Sequence, residues 1–140
     1  MNYILDTNII SELIKQDPDH NVISFIDSLL EENIYLSVVT IGEIYFGIQK
    51  LPQSKKRERI LSWLQTDLLS RFENRILEID IETMLIWGEM NASLQALGMT
   101  TPIMDSLIAA TCKTKKYTLV TRNTKDFLHL DITLIDPFNL

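Results

Sequence analysis

The sequence predicts an α/β fold, a three-layer α/β/α sandwich around a mostly parallel five-stranded sheet. Three observations lead there. Short β-rich apolar runs alternate with longer segments of helical period, as in βα units whose strands lie buried on both faces. The length, 140 residues, suits one compact domain that buries about 68–70% of its unfolded surface, so residues 1–140 are read as a single domain. With 46% hydrophobic and 23% charged residues and a mean hydropathy of +0.06, the chain has the composition of a folded protein and not of a disordered or fibrous one.

The elements follow in order. Residues 2–5 form an apolar run that stops at Asp6-Thr7-Asn8, a strand ending where a helix begins. A short helix through Ile9, Ile10, Leu13 and Ile14 is broken by Asp17-Pro18-Asp19, and Val22, Ile23, Ile26, Leu29 and Leu30 recur at helical spacing after it. Ile34 to Val38 is the second strand. Thr40 opens a helix to about Leu51, Pro52 interrupts, and Ile60, Leu61, Leu64 and Leu68 mark the next helix. Ile76 to Ile79 is a third strand. Along residues 80–97, Ile81, Met84, Leu85, Gly88, Ala92 and Ala96 fall on one helical stripe expected to face the core. Gly98 is positioned to stop that helix. Pro102 starts a helix that runs to Lys116, Thr118 to Thr121 is a fourth strand, and Ile132 to Ile135 a fifth, closed by Asp136-Pro137. Right-handed crossovers place helices on both faces, and ligands in such sheets bind beyond the carboxyl ends of the strands, where strand order reverses.

Several chemistries are excluded early. One cysteine, Cys112, rules out an internal disulfide framework or a Cys-rich zinc site, and His20 and His129 stand far apart. No apolar run reaches the ~20 residues of a membrane helix, and Met1 to Asp6 lacks the basic start of a signal peptide, so a cytoplasmic location is expected. The glycines are too scattered for a phosphate-cradling loop, and no Gly-x-Ser-x-Gly elbow is present. A net charge of −6 argues against nonspecific polyanion binding. Local basic runs survive nevertheless, at Lys50, Lys55, Lys56, Arg57 and Arg59 and at Lys113, Lys115 and Lys116. The first run, dense in an acidic chain, is the leading candidate for holding a nucleic-acid backbone.

The informative pattern is where the acids fall. Asp6 ends the first strand, Glu43 lies in the first turn of the helix after the second, and Asp105 in the first turn of the helix after Pro102. Asn123 and Asp126 follow the fourth strand. Parallel strands point all of these to one sheet edge. Each has an ordinary reading as well: Thr40 with Glu43 fits a capping box, Asp6 or Asn123 a helix cap, Asp105 a partner for the helix dipole. Convergence, however, would make the carboxylates repel and take up protons unless a cation stood between them. A site of Asp and Glu without His or Cys suits Mg²⁺ or Mn²⁺. Such a site can activate water against a phosphodiester.

Leu5-Asp6-Thr7-Asn8, Glu43 after a strand, Asp105-Ser106-Leu107-Ile108-Ala109-Ala110 and Val120-Thr121-Arg122-Asn123-Thr124-Lys125-Asp126-Phe127 together resemble the successive motifs of PIN-domain ribonucleases. Among those the closest match is to the VapC-type toxins of bacterial toxin–antitoxin modules. The resemblance spans nearly the whole chain. It implies an endoribonuclease dependent on Mg²⁺ or Mn²⁺, with Asp6, Glu43 and Asp105 as metal-binding acids and Asn123 at a fourth position that is Asp in some members. Asp126 is implied as an assisting acid, Thr7 and Thr121 as hydroxyl donors orienting Asp6 or a phosphate, and Arg122 as an RNA contact. Homodimers and a cognate antitoxin are also implied. A second stripe on the 80–97 helix (Trp87, Met90, Leu94, Leu97) and the apolar residues Tyr45, Phe46, Trp63 and Leu64 are the expected partner faces. The alternative is a catalytically inactive PIN-like binding or scaffold domain, for which Asn123 is the warning sign.

Overall fold

A computed structural model describes all 140 residues. Strands β1 (Tyr3–Leu5), β2 (Ile34–Ser37), β3 (Ile76–Leu77), β4 (Thr118–Val120) and β5 (Leu134–Ile135) form one sheet in the order β3-β2-β1-β4-β5, every pair parallel. The five strands stand where the apolar runs placed them, shorter by one or two residues. Leu5 pairs with Val120, so β1 and β4 end level. The chain steps outward from β1 to β3 and then returns to the far side of β1. Strand order therefore reverses between β1 and β4, and a crevice opens at their carboxyl ends.

Helices α1 (Thr7–Leu13), α2 (His20–Asp27), α3 (Val38–Gln49), α4 (Lys55–Ser62), a π-helical turn over Trp63–Leu68 and the short α5 (Leu69–Arg71) belong to the crossovers from β1 to β3. Helices α6 (Ile81–Ala96) and α7 (Ile103–Lys115) belong to the return from β3 to β4. Two separate cores result. Leu5 and Val120 join Ile9, Ile10, Val22, Leu36 and Phe72 in one; Ile4 and Leu119 join Met90, Leu94, Ile108 and Phe127 in the other. Adjacent strand residues thus enter opposite cores, the period of a strand buried on both faces.

Helix ends are fixed by short polar side chains. Asp6, Asp19, Ser37, Ser54 and Asp80 each accept a backbone N–H of the helix they precede. Gly98, at φ +71°, stops α6 as expected: its N–H donates to Gln95 and that of Met99 to Leu94, at 3.0 and 2.9 Å. Only a residue comfortable in the left-handed region permits that closure.

Two sequence expectations are corrected here. The Thr40–Glu43 capping box does not form, because the Ser37 hydroxyl already caps α3 by accepting from Val39 N–H at 3.0 Å. The helix begins two residues before Thr40, and Thr40 is buried inside it. The two stripes of α6 are also exchanged, except for Leu97, which stays exposed. Met90 and Leu94 are buried, while Ile81, Met84 and Leu85 are 81%, 41% and 65% exposed. Gly88, Ala92 and Ala96 bring little apolar area to the first stripe, whereas Trp87, Met90 and Leu94 bring much more, and the helix turns its bulkier side inward. Trp87 also gains a bond from its indole N–H to the buried Ser106 hydroxyl at 2.8 Å.

Candidate active site

Asp6 ends β1 at the reversal of strand order. Its carboxylate is 4% exposed and tightly held: Oδ1 accepts the Thr7 N–H at 2.8 Å, and Oδ2 accepts the Thr121 hydroxyl at 2.8 Å and the Asn8 amide at 3.4 Å. Thr121, directly after β4, is fully buried; its hydroxyl oxygen also accepts from the Asn8 amide at 3.2 Å and from Asn123 N–H at 3.1 Å. Asn8 completes the stitch by accepting Arg122 N–H at 3.1 Å. The ends of β1 and β4 are therefore joined by side chains beyond the last ladder bond.

Glu43 reaches the same place from α3. Its Oε1 accepts the Thr7 hydroxyl at 2.6 Å, and that hydroxyl lies 3.2 Å from the Thr40 hydroxyl. Asp105 stands in the first turn of α7, half-buried. Asp6, Glu43, Asp105 and Asn123 line one pocket of about 430 Å³ together with Thr7, Asn8, Ser11, Glu12, Lys15 and Arg122, and no hydrophobic residue contributes to its wall.

The electrostatics are those of crowded like charges. Burial raises the Asp6 carboxyl above the usual carboxylate range; its hydrogen bonds from Thr121, Thr7 and Asn8 offset part of that rise, and the charge of Asp126 adds to it. Asp105 is pushed up to about 6, first by burial and then by the charges of Asp6, Asp126 and Glu43. The pocket thus presents hard oxygen donors whose mutual repulsion a divalent cation would relieve, the chemistry Mg²⁺ and Mn²⁺ select. By donor type the residues fit such an ion. Three acids are not yet gathered tightly around one point, and Glu43 is turned to Thr7. Sharing an ion among all three therefore requires side-chain rotation from the arrangement seen.

The other expected residues divide. Asn123 lines the pocket but its side chain caps no helix. Asp126 sits in the 3₁₀ turn Thr124–Phe127 and borders a neighbouring cavity with Thr101, Pro102 and Lys125, acting on the acids through its field. Lys50, Lys55, Lys56 and Arg57 do not line the pocket. The Arg57 guanidinium instead donates to the Ile48 carbonyl at 3.2 Å and to Gln49 at 2.8 Å, and the Lys50 ammonium lies 5.2 Å from the Phe46 ring centre. Sequence reasoning missed Asn8 as the stitch between strands, and Glu12 and Lys15 as pocket residues. The signal was present: Asn8, Ser11, Glu12 and Lys15 fall three or four residues apart, one face of a helix.

Thr121→Val tests the support of Asp6. It keeps the shape and removes the hydroxyl that Asp6, Asn8 and Asn123 share, so Mn²⁺ affinity is expected to fall about tenfold. Calorimetric titration of Mn²⁺ into wild type and variant measures it, and unchanged affinity would remove Thr121 from the site.

The PIN domain family profile matches residues 3–132. Toxin FitB of Neisseria gonorrhoeae is 32% identical over 136 residues, covering 97% of this chain and 98% of that protein. VapC ribonuclease Y4jK of Sinorhizobium fredii is 32% identical over 135 residues, 96% of each chain. The crystal structure of FitAcB from Neisseria gonorrhoeae superposes with a TM-score of 0.92 at 33% identity, over 99% of both chains.

Proposed function

This chain belongs to the PIN-domain family, and from that premise we propose that it is the endoribonuclease toxin of a toxin–antitoxin module, with Asp6, Glu43 and Asp105 as the ligands of Mg²⁺ or Mn²⁺. The observation that supports this most strongly is the convergence of the three acids on one wholly polar pocket at the β1–β4 reversal, with Asp105 raised by burial and then by its neighbours' charge. The ion, when bound, supplies an acidified water and neutralises charge on the phosphodiester under attack.

The chain's own residues do the positioning. Thr7 N–H and the Thr121 hydroxyl fix both oxygens of Asp6, so one ligand is preorganised. The Thr7 hydroxyl steadies Glu43. Asp105, titrating near 6, is chiefly ionised at neutral pH and available as a ligand. Asn123 brings an oxygen without a charge, and Asp126 adds negative field from outside.

For partners, a groove between α1 and the α4 region is lined by Leu13, Ile14, Ile60 and Trp63 with Arg59 and Asp67 at its rim, about 600 Å³. It suits the apolar face of an amphipathic antitoxin helix. Exposed Ile81, Met84 and Leu85 on α6, in place of the stripe expected from sequence, are the face assigned to a second copy of the chain. No helix is long and apolar enough to cross a membrane, which accords with a cytoplasmic toxin.

The neutral Asn123 favours a second reading, a PIN-like binding domain without turnover. Incubation of the purified protein with RNA in Mg²⁺, Mn²⁺ or EDTA separates the two. Cleavage in either metal and none in EDTA is the expected result; intact RNA under all three conditions would support the binding domain.

A further inference from the structure

The acid-lined pocket has a basic rim that the proposed chemistry leaves unused. Of its ten lining residues two are cations, Lys15 and Arg122, and the structure shows both held in place. Lys15 lies two residues past the end of α1, on the side of the helix that carries Asn8, Ser11 and Glu12. Its ammonium donates to Glu12 Oε1 at 2.8 Å. Glu12 is itself 5% exposed, and its other oxygen accepts Asp19 N–H at 2.9 Å. These two hydrogen bonds, from Lys15 and then Asp19, hold the Glu12 carboxyl below its usual range, so it remains a fixed anion beneath the lysine. The Lys15 side chain is still 57% exposed, leaving ammonium donors facing solvent.

Arg122 is positioned from the segment that follows β4. Its backbone is tied to Asn8, and its guanidinium carbon lies 4.4 Å from the centre of the Phe138 ring. Stacking of this kind orients the plane while leaving the N–H edge free. No carboxylate forms a salt bridge with it; the three salt bridges of the chain involve Lys15, Arg71 and Arg75.

We propose that Lys15 and Arg122 form a clamp for the backbone phosphate of an RNA strand, on the α1 side of the pocket and next to the bond being cut. This rests on the endoribonuclease reading. The physical need is specific to this chain. Its net charge is −6 and its pocket holds Asp6, Glu43 and Asp105, so an approaching polyanion is repelled unless fixed cations stand at the rim. Arginine offers a planar fork matched to phosphate oxygens, lysine a compact charge. None of the basic residues from Lys50 to Arg59 lines the pocket, so the cations that stand beside the acids are Lys15 and Arg122.

The test is metal-free binding of a fluorescein-labelled single-stranded RNA oligonucleotide, read by anisotropy in EDTA over a series of KCl concentrations. Lys15→Gln and Arg122→Gln are each expected to weaken binding about threefold to tenfold at low salt and to flatten the salt slope by about 0.7. Lys15→Arg retains most of the affinity and slope. Asp105→Asn, which removes a repelling charge and blocks cleavage, binds at least as tightly as wild type. If wild type binds RNA and both glutamine variants match it in affinity and slope, the clamp is wrong while the nuclease reading stands. If wild type neither binds RNA here nor cleaves it in Mg²⁺ or Mn²⁺, the nuclease reading fails and takes the clamp with it.

Discussion

Asp6→Asn is expected to lower metal-dependent RNA cleavage about 10³-fold while leaving the protein folded. The substitution conserves shape and removes one charge from the ligand that is most completely preorganised. An amide oxygen can still accept Thr7 N–H, while the Thr121 hydroxyl, which already accepts from Asn8 and Asn123, loses its acceptor on Asp6 Oδ2. The Asn8 amide, 3.4 Å from that position, loses one of its two acceptors and keeps the Thr121 hydroxyl, so some stability is lost. A metal's transition-state contribution is several kcal/mol, and about 4 kcal/mol corresponds to roughly a thousandfold in rate. Initial rates on a single RNA substrate in Mn²⁺, with circular dichroism melts to verify folding, make the measurement. A folded variant within tenfold of wild type would mean that Asp6 serves only to cap α1.

Asp105 gives the second large effect, in the opposite direction for stability. Its carboxyl titrates near 6 when folded and near 3.9 when unfolded, so the folded state binds the proton more tightly. The contribution of Asp105 is therefore most favourable below about pH 4, declines as pH rises to about 6, and stays low above that. Because the side chain is half-exposed, solvent screening reduces the cost to about 1 kcal/mol. Asp105→Asn should abolish the decline and raise the melting temperature at pH 7.5 in EDTA by about 3 °C, even as cleavage is lost. Mn²⁺ should restore wild-type stability above pH 6, where the carboxylate is free to bind, and do less for the variant. The observable is the difference between wild-type and variant melting temperatures across pH 4.5–8, with and without Mn²⁺. A variant less stable than wild type at pH 7.5 in EDTA would show that neither burial nor the neighbouring acids strain the Asp105 carboxylate.

The sequence carried the strand positions and the gathering of acids for one reason: parallel βα units force every strand end, and every helix start that follows one, to the same edge. Asp6, Glu43 and Asp105 could be placed there from their positions relative to strands alone. What was not legible depended on which of two competing local choices won. Helix α6 carries two apolar stripes, and only packing against Ile108 and Cys112 of α7, in the same core as Met90 and Leu94, decides that these turn inward and Ile81 and Leu85 outward. Ser37 and Thr40 could both start α3, and the earlier hydroxyl prevailed. Arg57 sits in a basic run that reads as a nucleic-acid contact, yet its guanidinium closes the carboxyl end of α3. Lys15 was hidden for the converse reason, since it lies in no run; it joins Arg122, already named through the family resemblance, at the acids only because the fold brings the end of α1 and the end of β4 together.

The central claim is that Asp6, Glu43 and Asp105 share a divalent cation, and anomalous scattering from crystals soaked in Mn²⁺ tests it most directly. The account predicts one dominant anomalous peak in the polar pocket, about 2.0–2.2 Å from an Asp6 oxygen, with Glu43 and Asp105 rotated toward it from the arrangement described above, and the peak lost in Asp6→Asn crystals. No peak in that pocket at saturating Mn²⁺, or a peak that the Asp6→Asn variant leaves unchanged, would contradict it.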